Sequence, residues 1–291
     1  MCSSDLKKPK RIFVNSVSDL FHKDVPDKYI DRVFAVMAIA KQHTFQLLTK
    51  RPERMLEYLT RPYMPGAMCD VAIEEFKTPL HSTEIKEHSQ GAYSVLKPIA
   101  WPLPNVWLGV STENQKYADE RIPLLLRTPA AVRFLSIEPQ LGPIILHKYF
   151  AQCECGHGHG FTSCTNYGGT AKTCHRCDCQ TLRPKLNWVI CGGESGRGAR
   201  PFEIAWARHL AKQCRDSGVA FFFKQTGENL LVPNDRITEW PKGGDDLRIS
   251  DDGERFQGTL VQIKLPTKKG GNPAEWPADL QNCRAFPETA Q

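Results

Sequence analysis

The chain has 291 residues, 41% of them hydrophobic and 24% charged, and its formal net charge is +6 at pH 7. That is the composition of an ordinary soluble globular protein, either one large domain or two small ones. No apolar run of about 18 residues occurs and no apolar signal core opens the chain, so a transmembrane helix is excluded and a cytoplasmic location, with no membrane partner, is expected.

Residues 1–6, Met-Cys-Ser-Ser-Asp-Leu, match the translation of a common sequencing-adapter end. They are expected to be an artefact rather than a native tail, with the native frame continuing upstream. The first strand is predicted at Arg11–Ser16, with a polar tip at Ser18–His22. A helix follows over Pro26–Gln42, with Tyr29, Ile30, Val33, Phe34 and Met37 on one face. The next strand is Thr44–Thr49, tipped by TKRPER, where Pro52 suits the first turn of a helix. Residues 60–104 read as a Pro-rich insertion of mixed charge, with His81 and His88 most simply on the surface. Strand Asn105–Ser111 ends in STEN and leads into a helix over Asn114–Arg127. Strand Val132–Ile137 ends in Glu138-Pro139, and a second insertion, 144–186, follows. Strand Asn187–Cys191 ends in GGESG, a helix covers Glu203–Ser217, and strand Val219–Lys224 ends in KQTG. In the tail, Arg248–Ile249 and Thr259–Ile263 flank Asp251-Asp252-Gly253, a hairpin signal, and Trp276 is expected to dock on the preceding domain.

Six apolar runs bounded by polar clusters read as parallel strands buried on both faces. Three of the spacings between strand starts fit one βα unit of roughly 30 residues. The expected fold is therefore α/β, an incomplete parallel β/α barrel of TIM-like type over residues 7–143 and 187–229. Residues 144–186 would be a metal-binding insertion and 230–291 a C-terminal extension. Such barrels place their active sites at the C-terminal strand ends.

The tips supply the candidate residues. Asp19 and His22 suit proton transfer or orientation, the alternative being a helix cap by Asp19 or Ser18 with His22 on the surface. Asn15 and Ser16 stand at the same strand end. Lys50, beside Arg51, suits an anionic ligand. Glu113 and Glu138 add carboxylates for acid–base work or for binding an amine. Gly192 and Gly193 permit close approach of a ligand to the backbone, Glu194 could take an amino or hydroxyl group, and Arg197 or Arg200 an anion. Lys224, with Gln225, closes the set.

Six of the eleven cysteines, Cys153, Cys155, Cys164, Cys174, Cys177 and Cys179, fall in the second insertion with His157, His159 and His175. Clustered cysteines without a secretion signal point to metal before disulfide. Structural zinc is expected, with Cys153, Cys155, Cys174 and Cys177 as one ligand set and Cys164, Cys179 or a histidine as replacements. Unliganded thiols and an auxiliary iron–sulfur cluster are the alternatives.

Taken in order, RIFVNSVSDLFH, FQLLTKRPERM, NVWLGVSTEN, RFLSIEPQLGPI, WVICGGESGRGARPF and FFFKQTGE, with the closing KKGGNPAEWPADL, resemble an uncharacterised phage protein family, gp thirty-seven / gp sixty-eight. That family is similar to radical-SAM proteins. The resemblance implies a radical-SAM-type barrel, encoded by a phage or prophage and acting in the bacterial cytoplasm. The full-length form would bind a [4Fe-4S] cluster and S-adenosylmethionine through a three-cysteine motif ahead of the first strand. No such motif precedes Arg11 here, so a chain truncated at this point is expected to be inactive. The substrate is left unnamed; nucleic acid and a three-Cys-motif protein are the candidate partners. Two other readings stay open. One is a zinc-stabilised nucleic-acid- or protein-binding barrel without redox chemistry. The other is a metal-independent barrel hydrolase or lyase using the glutamates.

Overall fold

A computed structural model describes residues 8–77, 80–82, 97–153, 182–184, 186–233, 248–249 and 260–287. In chain order the elements are β1 (Arg11–Val14), α1 (Asp27–Ile39), β2 (Thr44–Thr49), α2 (Pro52–Thr60), α3 (Met64–Glu74), β3 (Leu80–Ser82), β4 (Lys97–Ile99), β5 (Val106–Ser111) and α4 (Gln115–Arg127). They continue with β6 (Val132–Ile137), α5 (His147–Phe150), β7 (Ala151–Cys153), β8 (Leu182–Pro184), β9 (Trp188–Gly192), β10 (Phe202–Glu203), α6 (Ile204–Asp216), β11 (Ala220–Gln225), β12 (Leu230–Pro233), β13 (Arg248–Ile249), β14 (Leu260–Lys264) and α7 (Ala278–Gln281). No described helix is long and apolar enough to cross a membrane.

The fold is mixed α/β. Its main sheet has the strand order β1-β2-β5-β6-β9-β11, and the pairs β1/β2, β2/β5, β6/β9 and β9/β11 are all parallel. All six expected strands form, with ends displaced by a residue or two. The chain divides into two compact units, residues 1–110 with 121–133, and 111–120 with 134–291.

In the first unit, α1 buries Ile30, Phe34, Ala35, Met37 and Ala38, whereas Tyr29, expected on the same face, is half exposed and Val33 only partly buried. Pro52 occupies the first turn of α2, where its missing N–H costs nothing. Asp31 of α1 is buried and accepts from the Tyr58 hydroxyl at 2.5 Å and from Arg61. Burial, then this bond to Asp31, pushes the Tyr58 pKa up. Helix α3 lies inside the stretch read as a Pro-rich insertion of mixed charge, for which no helix was expected. Met64, Pro65, Gly66, Met68, Cys69, Val71 and Ala72 are all buried, so it shows no amphipathic stripe to read.

In the second unit, β11 lies at the edge of the main sheet, and the C-terminal segment covers it. Phe223 N donates to Cys283 O at 2.6 Å, Ala285 N to Phe221 O at 2.9 Å, and Phe222 bridges Arg284 in antiparallel fashion. Trp188 Nε1 donates to Ala285 O at 2.9 Å. An edge paired in this way is closed to a foreign strand. The expected docking of Trp276 is met: its ring is fully buried, 4.6 Å from Phe223 between centroids. A four-stranded sheet, β10-β12-β14-β13, holds the expected hairpin strands as an antiparallel β13/β14 pair.

Candidate functional site

The strand ends of the second unit carry two ion pairs, Glu138–Lys224 and Glu194–Arg200. Parallel register aligns Ile137 of β6 with Cys191 of β9, and Gly192 of β9 with Gln225 of β11. Glu138 therefore follows directly on one side of β9 and Lys224 lies on the other. Lys224 Nζ reaches Glu138 Oε2 at 3.1 Å. The two meet over Gly192, where a Cβ would stand 2.8 Å from Glu138 Oε1 and 3.2 Å from Gln225 O. The missing side chain is what leaves room for the pair. The Glu138 side chain is 17% exposed and that of Lys224 54%. Burial raises the Glu138 pKa, and the Lys224 charge and hydrogen bond oppose that rise. Glu138 is thus a largely buried carboxyl beside a cation open to solvent.

Below this pair sit two groups the sequence did not mark. The Cys191 thiol is fully buried and donates to Gln140 Oε1 at 3.1 Å; burial, then the Glu138 charge, pushes its pKa well up. It is a packed thiol rather than a nucleophile. Gln140 N in turn donates to Gly192 O at 2.9 Å.

Glu194 and Arg200, expected to meet a ligand, pair with each other. Arg200 donates to Glu194 from its backbone N, Nε and Nη2 at 2.8–2.9 Å, so the loop between them closes on itself. The fork on Arg200 holds the Glu194 carboxyl down at about 2. Glu194 also raises the Arg200 pKa, with a smaller contribution from the charge of buried Glu113. Arg197 is exposed. Gly193 is pinned against β11's continuation: its N donates to Gln225 O, and a Cβ there would meet Thr226 O at 2.0 Å.

The first unit carries a separate cluster. The Asp19 carboxylate accepts from Phe21 N at 3.0 Å, Thr49 Oγ1 at 2.8 Å, Lys50 N at 3.0 Å and Arg51 Nη1 at 2.8 Å. Asp19 is a staple between the loop after β1 and the end of β2. His22 lies on the surface with its Nδ1 3.3 Å from Asp24. Asn15 adopts a positive φ of 58° and its carbonyl accepts from Ser18 N; Ser16 and Lys50 are exposed.

Cys155, Cys164, Cys174, Cys177 and Cys179 lie outside the described residues, as does the side chain of Cys153. The described cysteines Cys69, Cys191, Cys214 and Cys283 are unpaired, and no group of three or more metal-binding side chains occurs among the described residues.

A family model described as "protein of unknown function (DUF5131)" matches residues 2–261. The chain belongs to the DUF5131 family. No curated protein matches this DUF5131 chain. No solved structure matches it.

Proposed function

We propose that this DUF5131 protein is an enzyme of TIM-like β/α type whose ligand sits at the strand ends of the second unit. The observation that carries the proposal is the Glu138–Lys224 pair, a desolvated carboxylate 3.1 Å from a solvent-facing ammonium above a glycine. A carboxylate acceptor beside an ammonium donor suits the two ends of an α-amino acid.

The phage gp thirty-seven / gp sixty-eight resemblance supports a radical-SAM-like reaction class. The amino-acid end of S-adenosylmethionine fits the pair, with its ammonium on Glu138 and its carboxylate on Lys224. When bound, that molecule supplies a cleavable carbon–sulfur bond next to a sulfonium. Gly192 makes room for the Glu138 carboxylate, and the Gln225 amide at the same tip donates to Gly193 O at 3.0 Å. A [4Fe-4S] cluster does not fit the described residues, which bring no three cysteines together, and we derive no step through it. Zinc in the insertion stays part of the proposal, resting on its cysteine spacing alone.

The test is calorimetric titration of S-adenosylmethionine, and of S-adenosylhomocysteine, into the full chain. Binding that falls at least tenfold in Glu138→Gln and in Lys224→Ala is expected. No binding to the wild type, or binding indifferent to both changes, overturns it. The reading of a metal-independent lyase or hydrolase draws on the raised pKa of the same Glu138. It is the one favoured if neither compound binds.

A further inference from the structure

The C-terminal tail fastens a basic loop to the tip of β11. Thr226 N donates to Gly270 O at 3.0 Å and Gly227 N to Lys269 O at 3.1 Å. The buried Trp276 donates from Nε1 to Gly270 O at 2.8 Å. Arg284 Nη2 donates to Lys224 O at 3.2 Å and to Gly271 O at 2.8 Å. Gly270 has φ +57°, and a Cβ there would fall 1.8 Å from Thr226 Oγ1, so the loop is seated by direct backbone approach. These bonds hold the exposed Lys268 and Lys269 near Lys224. Glu228 N donates to Glu194 O at 2.9 Å, which ties the loop carrying Arg197 to the same stretch.

Three carboxylates of this rim are engaged, Glu138 with Lys224, Glu194 with Arg200, and Glu275 with Thr267 and Asn272, and Glu228 lies in the same stretch. Arg197, Lys268 and Lys269 have no carboxylate partner among the described residues. One small anion would use one or two of these cations. Three cations on two fixed loops suit a chain of phosphates. A base must leave its stack to reach a strand-end mouth, which favours a single strand over a duplex.

We propose that this rim binds the phosphate backbone of a single-stranded nucleic acid and lays it past the Glu138–Lys224 mouth. The inference rests on that mouth being the working site and names the substrate class it serves.

The test is fluorescence anisotropy of a labelled single-stranded DNA oligonucleotide with the full chain, over a series of KCl concentrations and without S-adenosylmethionine. Each phosphate contact contributes about −0.7 to the slope of log K against log salt, so three cations give about −2. Lys268→Ala/Lys269→Ala is expected to reduce that slope by about 1.4 and to weaken low-salt binding at least tenfold. Both side chains are exposed, so the melting temperature should not change. Lys8→Ala/Lys10→Ala, in the basic run KKPKR of residues 7–11, should bind like the wild type. Absence of binding, an unaffected Lys268/Lys269 variant, or a loss carried by Lys8/Lys10 overturns the proposal. Displacement by polyglutamate as effective as by unlabelled oligonucleotide also overturns it, since the rim would then hold an acidic protein segment equally well. Because no S-adenosylmethionine is present, failure here is separate from failure of the ligand titration.

Discussion

Glu138 and Lys224 pair at 3.1 Å across a strand to which neither belongs, over the bare Cα of Gly192. The residue after β6 supplies the carboxylate, β11 the cation, and β9 between them supplies an absence of side chain. Adjacent glycines then have different duties. Gly192 makes room for a side-chain contact, while Gly193 lets two backbones meet.

Alanine substitutions should separate those duties. The Cβ of Gly192→Ala would press on the movable end of Glu138, so the fold should survive at a cost of about 1 kcal/mol while the pair is displaced. The Cβ of Gly193→Ala would collide with the Thr226 carbonyl, which cannot swing away, and about 3 kcal/mol should be lost. Urea unfolding of the two variants checks the order.

The pair also sets a pH dependence. The Glu138 pKa is raised in the fold, so the stability tied to its protonated form is present at acid pH and is lost as pH rises through that raised value. Lys224 limits the loss. Lys224→Met should therefore match the wild type near pH 4 and fall behind by about 1 kcal/mol at pH 7, where it leaves a buried carboxylate unpaired. Equal costs at both pH values would contradict the assignment.

Glu194 should behave in the opposite sense. Its carboxyl is held at about 2, so the Arg200 contact stabilises the fold at neutral pH and is lost as pH falls below the usual carboxylate range. Arg200→Ala should return Glu194 to ordinary titration, read by carboxyl NMR. The pair is exposed, so the melting temperature should fall only slightly.

Trp276 anchors the tail on the second unit. Trp276→Ala should cost about 3–5 kcal/mol, through lost contact with Phe223 and lost support for Gly270. Trp276→Phe should recover most of the packing but not the Nε1 bond. Thermal unfolding ranks the three proteins.

Much of the fold was legible because buried parallel strands leave apolar runs with polar ends, as at Val132–Ile137 followed by Glu138. Helix α1 was legible for the same kind of reason, its stripe being one-sided. Helix α3 was not, because it is buried nearly all round and carries Pro65 and Gly66. The tips gave the right residue types but not their partners. Arg200 looked like an anion site, and only the turn of its own loop shows that Glu194 takes its guanidinium. Asp19 suited proton transfer, yet its carboxylate holds the end of β2. The Glu138–Lys224 contact spans 86 residues and depends on the register of three strands, which composition and periodicity do not encode.

The most direct measurement is a double-mutant cycle on S-adenosylmethionine binding, using Glu138→Gln, Lys224→Met and the double variant. A shared amino-acid clamp predicts at least tenfold weakening in each single variant and a double variant little worse than the weaker-binding single one. Wild-type binding retained through all three proteins would contradict the claim that this pair is the ligand site.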